Sequence, residues 1–210
     1  MCELCVELRT YLRYGHHEAI VTTVDSSGSV NSAPMGIELR GDSILLRPYV
    51  GSKTYSNLVS TKEATINITN DSKLYYYSLF TPQMLKYSPS KLVRPPRILG
   101  DVDLYIECEV INVDNGVNPP LIYLRSLCCD LGSGCKLAFS RANSLVIEAL
   151  VHYSKLPVLI REGNVDGVKR RVDVITYAYE VVERVGDEEL KLIIKDILGK
   201  ALALIKDLES

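Results

Sequence analysis

The rhythm of apolar and polar positions changes once along this chain. Up to about residue 131 the apolar residues come in short β-branched runs parted by polar turns; from Arg141 they recur at threes and fours. Residues 19–24 (AIVTTV) read as a first strand, closed by the polar turn at residues 25–29. Residues 30–39 return as a second strand with Pro34 and Gly36 inside it. A proline has no N–H for a ladder, so this strand must present an open edge or a bulge there. After a tight turn at Asp42, residues 43–50 (SILLRPYV) form a third strand, and the short turns make the three an antiparallel meander. A short helix then runs to Val59, with Ser52 as its N-cap. Residues 64–69, 104–113 and 121–131 read as strands four to six, and so many short strands predict a small barrel or sandwich. Residues 82–101, with Pro82, Pro89, Pro95 and Pro96, read as a long ordered loop placed to serve as a lid.

Beyond Arg141 the pattern predicts three amphipathic helices. Leu145, Val146, Ala149, Leu150 and Tyr153 share one stripe, and Val165, Val168, Val172, Ile175, Tyr179 and Val182 a second. Gly186 and Asp187 break the chain, Asp187 capping a third helix whose stripe is Leu190, Ile194, Ile197, Ala201, Leu204 and Leu208. Glu188 and Glu189 sit in its first turn, where the helix dipole favours acids. Each helix has a single apolar stripe to bury against the others, the barrel or a second subunit. The 210 residues suffice for one good core, or a core with a smaller appendage, so the fold class is α+β.

Charge narrows the function classes. The chain carries 24 basic and 26 acidic residues for a net charge of -2, with 13 and 14 of them up to residue 140 and 11 and 12 beyond. Neither part is a polycation, so no footprint for nucleic acid or an anionic membrane is present. The apolar runs are far short of a membrane span, and the start of the chain has no basic segment followed by an apolar one. The expectation is a cytoplasmic protein.

The cysteines fall in two groups, Cys2 with Cys5 and Cys128 with Cys129 and Cys135, leaving Cys108 by itself. The first pair has C-x-x-C spacing and the second group does not, so buried thiols with one structural disulfide stand ahead of a zinc site helped by His16 and His17. Both histidines precede the first strand and read as surface residues. Gln83 is the sole glutamine and tryptophan is absent, a composition that fits a heat-adapted organism, where intracellular disulfides are tolerated.

The densest polar chemistry lies between Thr22 and Asp71. Asn31, Ser32, Ala33, Pro34, Met35 and Gly36 combine small residues with a proline that frees backbone and a glycine that permits close approach, so a flat heterocycle can lie against the main chain. Downstream, Ser52, Lys53, Thr54 and Asn57 place donors at a helix N-terminus, an anion site, and Arg47 can fork onto a phosphate. Together they describe a planar ring joined to a phosphate. Each residue also has a plainer role: Ser52 is first a helix cap, and Arg47 can pair with a surface acid. Residues 51–54 (GSKT) lack the glycine–lysine order of a P-loop. Lys86, Lys91, Arg94 and Arg97 form a basic run with no acid among them and read as a solvated loop.

Residues 18–71, with their N-x-A-P stretch, T-x-x-N-L element and strand ending in Asn67, resemble the FMN-binding split-barrel proteins, within them the largely archaeal domain-of-unknown-function family 447. Residues 138–155 (AFSRANSLVIEALVHYSK) resemble the start of that family's helical C-terminal part. The resemblance implies a six-stranded antiparallel split barrel over residues 1–137, a helical subdomain over 138–210, and a homodimer with FMN near the subunit interface. It also implies that Asn31, Ala33, Pro34 and Met35 lie along the isoalloxazine, that Thr22 and Thr23 contact the flavin through main chain, and that Arg47, Ser52, Thr54 and Asn57 serve the ribityl phosphate. The activity implied is flavin-dependent hydride or electron transfer, with a reduced nicotinamide as donor; a flavin store or sensor working through a partner is the alternative. No side chain in this stretch is an evident acid–base catalyst.

Overall fold

A computed structural model describes residues 8–13, 15–132 and 138–209, which fall into two compact units. Of these, the first holds residues 17–132 and 138–139 with a short helix α1 (Leu8–Tyr11), and the second holds residues 140–209 with residues 15–16.

The first unit is a closed antiparallel barrel in the order β1-β2-β3-β8-β7-β4. Its strands are β1 (His16–Val24), β2 (Val30–Arg40), β3 (Ser43–Leu46), β4 (Glu63–Ile68), β7 (Leu104–Asp114) and β8 (Leu121–Leu131). Alternation sorts each strand into two faces. Ala19 and Val21, Ala64 and Ile66, and Leu104 and Ile106 point into one shared core with Leu58 of helix α2 (Lys53–Thr61). The third strand stops at Leu46 rather than at residue 50, because Pro48 has no N–H to continue the ladder with β8. The first strand begins earlier than expected, at His16, and His17 is buried at 1% exposure, not a surface residue.

The segment after β4 is built, not loose. Helix α3 (Ser72–Phe80), unheralded by periodicity, is capped by Asp71, whose carboxylate accepts from the Lys73 N–H at 2.9 Å. A 3-10 turn (Pro82–Met84) leads to a hairpin of β5 (Lys86–Ser88) with β6 (Arg97–Leu99). Leu74, Leu85, Ile98 and Val102 of this segment cover Ile20 on the outer face of β1, forming a second small core. The chain returns beside β8 so tightly that a Cβ on Gly132 would sit 1.8 Å from the Val102 carbonyl oxygen, which only glycine accommodates.

The basic run of residues 86–97 proves well supplied with acids. Glu107 is fully buried on β7, where it accepts from the Lys91 and Leu92 N–H groups at 2.8 and 2.7 Å and from Arg97 Nε at 2.9 Å. Arg97 also reaches Asp130 at 2.6 Å, Lys91 reaches Asp130 at 2.7 Å, and Arg94 reaches Glu63 at 2.8 Å. The Arg97 guanidinium lies over the Tyr105 ring, 5.2 Å from its centroid. With Thr65 donating to the Pro95 carbonyl at 2.6 Å, these bonds fasten the hairpin to the outer face of β4, β7 and β8. It is a second wall rather than a solvated loop or a lid.

The second unit is three helices, α4 (Arg141–Arg161), α5 (Val165–Val185) and α6 (Glu188–Glu209). Ser140, Asn164 and Asp187 cap them, each accepting from a backbone N–H three residues on. Their stripes meet in one core that includes Val146, Ala149, Ile175, Val182, Ile194 and Ile197. No helix among the described residues is long and apolar enough to cross a membrane.

Candidate functional site

Because β3 pairs only with Ile37–Arg40 of β2, residues 30–36 extend past it. Helices α2 and α3 both lie against β2. Gly51 turns with φ 87°, Ser52 caps the helix by accepting from the Tyr55 N–H at 3.1 Å, and Thr54 and Asn57, one turn apart, share a buried face. Asn31 Nδ2 donates to Thr54 Oγ1 at 3.1 Å, Asn57 Nδ2 donates to Thr23 Oγ1 at 3.0 Å, and Thr23 Oγ1 donates to the Asn31 carbonyl at 3.4 Å. The four residues thus form one network joining β1, β2 and α2.

A second network runs along the other face of the same strands. Thr22 Oγ1 lies 2.9 Å from Ser32 Oγ, which lies 3.1 Å from the Tyr87 hydroxyl on β5. Asn67 Nδ2 donates to Thr22 Oγ1 at 3.1 Å and to the Ile20 carbonyl at 2.9 Å, while its Oδ1 accepts from the Ile98 N–H at 2.9 Å. Burial pushes the Tyr87 phenol above its ordinary pKa, with the Ser32 hydrogen bond opposing the shift.

The remaining candidate residues divide. Ala33 and Pro34 lie half-buried on the part of β2 that extends past β3, whereas Met35 packs its side chain onto the barrel core. Arg47 follows β3 with Nη2 3.3 Å from Glu38 Oε2, the surface-acid pairing weighed from the sequence; Glu38 also holds Arg40 at 2.7 Å. Lys53 is exposed at the first position of α2, and Tyr49 and Val50 just before it are exposed apolar side chains, 76% and 66% accessible. Tyr87 joins the network although the sequence assigns it no role, whereas Ser32 reads there only as a small residue of the ring strand and Asn67 only as part of the family motif. Nothing near Tyr87 in the chain announces its contact, which spans 55 residues.

The assembled groups are hydroxyls and amides beside exposed backbone and a helix N-terminus. Such a set bonds to the edge of a neutral heterocycle and to an anion, and holds no charge of its own to be neutralised. That donor set fits a flavin mononucleotide. Cys108 is buried in the barrel core, where burial pushes its thiol far up, and Cys128 is a free thiol. Cys129 is disulfide-bonded; Cys2, Cys5 and Cys135 lie outside the described residues. Among the described residues no group of three or more His, Cys, Asp or Glu is placed to hold a metal ion.

A closed six-stranded antiparallel barrel followed by C-terminal helices is the split-barrel fold seen in flavin reductase-like proteins. A putative flavin reductase with a split-barrel domain from Shewanella frigidimarina superimposes with a TM-score of 0.51 at 11% identity, covering 63% of this chain and 76% of that one. Within that fold the chain belongs to the protein family of unknown function DUF447: residues 17–131 match its N-terminal domain and residues 140–198 match the description "Protein of unknown function (DUF447)". An uncharacterized protein of Methanocaldococcus jannaschii is 22% identical over 184 residues, 82% of this chain and 91% of the relative. An FMN-bound DUF447 protein from Methanosarcina mazei has a TM-score of 0.52 at 22% identity, covering 93% of this chain and 99% of that one.

Proposed function

We propose that the protein binds one FMN per chain along residues 30–36 of β2, with the phosphate at the N-terminus of α2. The observation that carries this reading is the network of Thr23, Asn31, Thr54 and Asn57, which joins the ring strand to the phosphate helix through neutral donors. The FMN-bound family relative, aligned over nearly its whole length, supports the same cofactor. When bound, FMN supplies hydride and electron transfer. The chain's part is to hold Asn31, Ala33 and Pro34 against the ring, with Thr22 and Thr23 behind them. Ser52, Thr54, Asn57 and the neighbouring Arg47 serve the phosphate. The backbone of Met35 completes the strand while its side chain anchors it to the core.

On this reading the protein is a cytoplasmic homodimeric oxidoreductase that draws on a reduced nicotinamide. The exposed Tyr49 and Val50 offer apolar surface beside the phosphate helix for a second subunit. The purified protein is expected to be yellow, or to become so with FMN, and to keep about one flavin per chain through gel filtration; colourless protein that passes FMN through refutes the reading. A non-enzymatic flavin carrier or sensor is the second reading, favoured by one observation: the residues joined at β2 and α2 are hydroxyls and amides that do not titrate near neutrality. Rapid bleaching by a reduced nicotinamide followed by reoxidation in air selects the enzyme, and retention of FMN without reduction by any donor selects the carrier.

A further inference from the structure

We propose that Tyr87 presents its hydroxyl proton to a carbonyl or ring-nitrogen acceptor on the edge of the flavin, at the end of an oriented chain running from Asn67 through Thr22 and Ser32. The inference rests on the FMN reading above and adds a contact from the far side of the ring strand.

The orientation follows from counting protons. The Ile98 N–H can only donate, so the Asn67 atom it meets at 2.9 Å is the amide oxygen, and the other atom is the NH₂ that donates to the Ile20 carbonyl and to Thr22 Oγ1. Thr22 Oγ1 is therefore an acceptor towards Asn67, and either hydroxyl of the Thr22–Ser32 pair, 2.9 Å apart, can donate to the other. Because Thr22 is fully buried, the orientation that leaves no buried proton unused sends its proton to Ser32. By the same argument the nearly buried Ser32 gives its proton to the more open Tyr87 oxygen, 3.1 Å away. Three hydroxyls share two mutual bonds, so one proton is left over, and it sits on Tyr87 at the open end. Ser32 is 6% exposed and boxed between its two partners, while Tyr87 is only half buried.

The geometry is also fixed in advance. The Tyr87 ring packs against the small core under the hairpin, and its cross-strand partner is Ile98, the residue whose N–H is held by Asn67. Asn67 thus grips both ends of the chain, from Thr22 to Ser32 to Tyr87 on one side and through Ile98 on the other. A donor so held loses little freedom when a ligand accepts from it. Ser32 lies between Asn31 and Ala33 on the ring strand with its side chain on the opposite face, so its 3.1 Å contact brings the Tyr87 hydroxyl against that strand from the far side.

The test compares wild type, Tyr87→Phe and Ser32→Ala by FMN titration, followed through quenching of flavin fluorescence, and by the absorption spectrum and midpoint potential of bound FMN. Removing the terminal donor is expected to weaken FMN roughly three- to tenfold, to displace the absorption bands and to lower the potential, since a hydrogen bond to the flavin edge favours the more electron-rich reduced ring. Ser32→Ala, which cuts the feed to Tyr87, is expected to act in the same direction. Wild type that keeps FMN while Tyr87→Phe leaves affinity, spectrum and potential unchanged overturns this inference and leaves the flavin reading standing. Wild type that does not retain FMN overturns both. Should Tyr87→Phe fail to fold, Ser32→Ala decides alone, and an unaltered spectrum and potential there overturns the proposal.

Discussion

The barrel carries two polar networks of opposite character. On the outer face of β7 and β8, the acids Glu107 and Asp130 and the bases Arg97 and Lys91 are matched to one another and to backbone N–H donors. Around β2, Thr22, Ser32, Asn31, Thr54 and Tyr87 are neutral hydroxyls and amides. The difference teaches what each region is for. A buried ion pair is rigid because losing either partner strands a charge, which suits a fastening. Neutral groups give and take hydrogen bonds at little cost, and one proton left over in such a chain is available to a ligand.

Substitutions should separate the two networks. The largest effect is expected from Glu107→Ala, which leaves the Arg97 guanidinium without its buried partner and should cost about 3–5 kcal/mol in denaturant unfolding. A loss under about 1 kcal/mol would mean the cluster is ornamental and the contrast false. Next come Arg47→Ala and Thr54→Ala, each expected to weaken FMN by about 1.5–3 kcal/mol as a charge-assisted bond to phosphate is lost. The unfolding midpoint should be little moved for Arg47→Ala and lowered for Thr54→Ala, which also takes the acceptor from Asn31 Nδ2. Unchanged affinity in both removes the phosphate assignment. Asn31→Ala should shift the spectrum or potential of bound FMN more than it shifts stability, with an altered fold and an unaltered spectrum as the contrary result.

The smallest effect concerns acid. Burial raises the Asp130 carboxyl, but its bonds and charges with Lys91 and Arg97 outweigh that and hold it below its ordinary 3.8. The folded protein therefore binds this proton less readily than the unfolded chain. The stability so contributed is complete above the ordinary carboxylate value and fades as pH falls through the depressed one. Asp130→Asn should flatten that acid limb, and an unchanged pH profile of the unfolding midpoint would contradict it.

Much of this was legible in the chain because it is written locally. The strands around Ala19, Ser43, Ala64 and Leu121 show β-branched runs between turn residues, and the terminal helices show unbroken stripes with Asp187 as a cap. Helix α3 was not, since its residues expose Tyr76, Leu79 and Phe80 while burying Leu74, which leaves no single stripe to read. The basic run misled because its acids arrive 10 to 39 residues away, on other strands. In the candidate site, Asn31, Thr54 and Asn57 were found by residue type and spacing. Ser32 and Asn67 are legible there by type and motif, but their contacts with Thr22 and Tyr87, and Tyr87 itself, lie across strands where no local pattern encodes them.

The hairpin laid over β4 also alters how the chain can change over evolutionary time. Every residue of β4 from Ala64 to Ile68 is buried, whereas along the first half of β8 buried positions alternate with more open ones. A strand walled on one side tolerates exchange at every second position. One walled on both sides offers no such relief, so drift in β4 must proceed by paired changes, Thr65 with the Pro95 turn and Asn67 with Thr22, or scarcely at all.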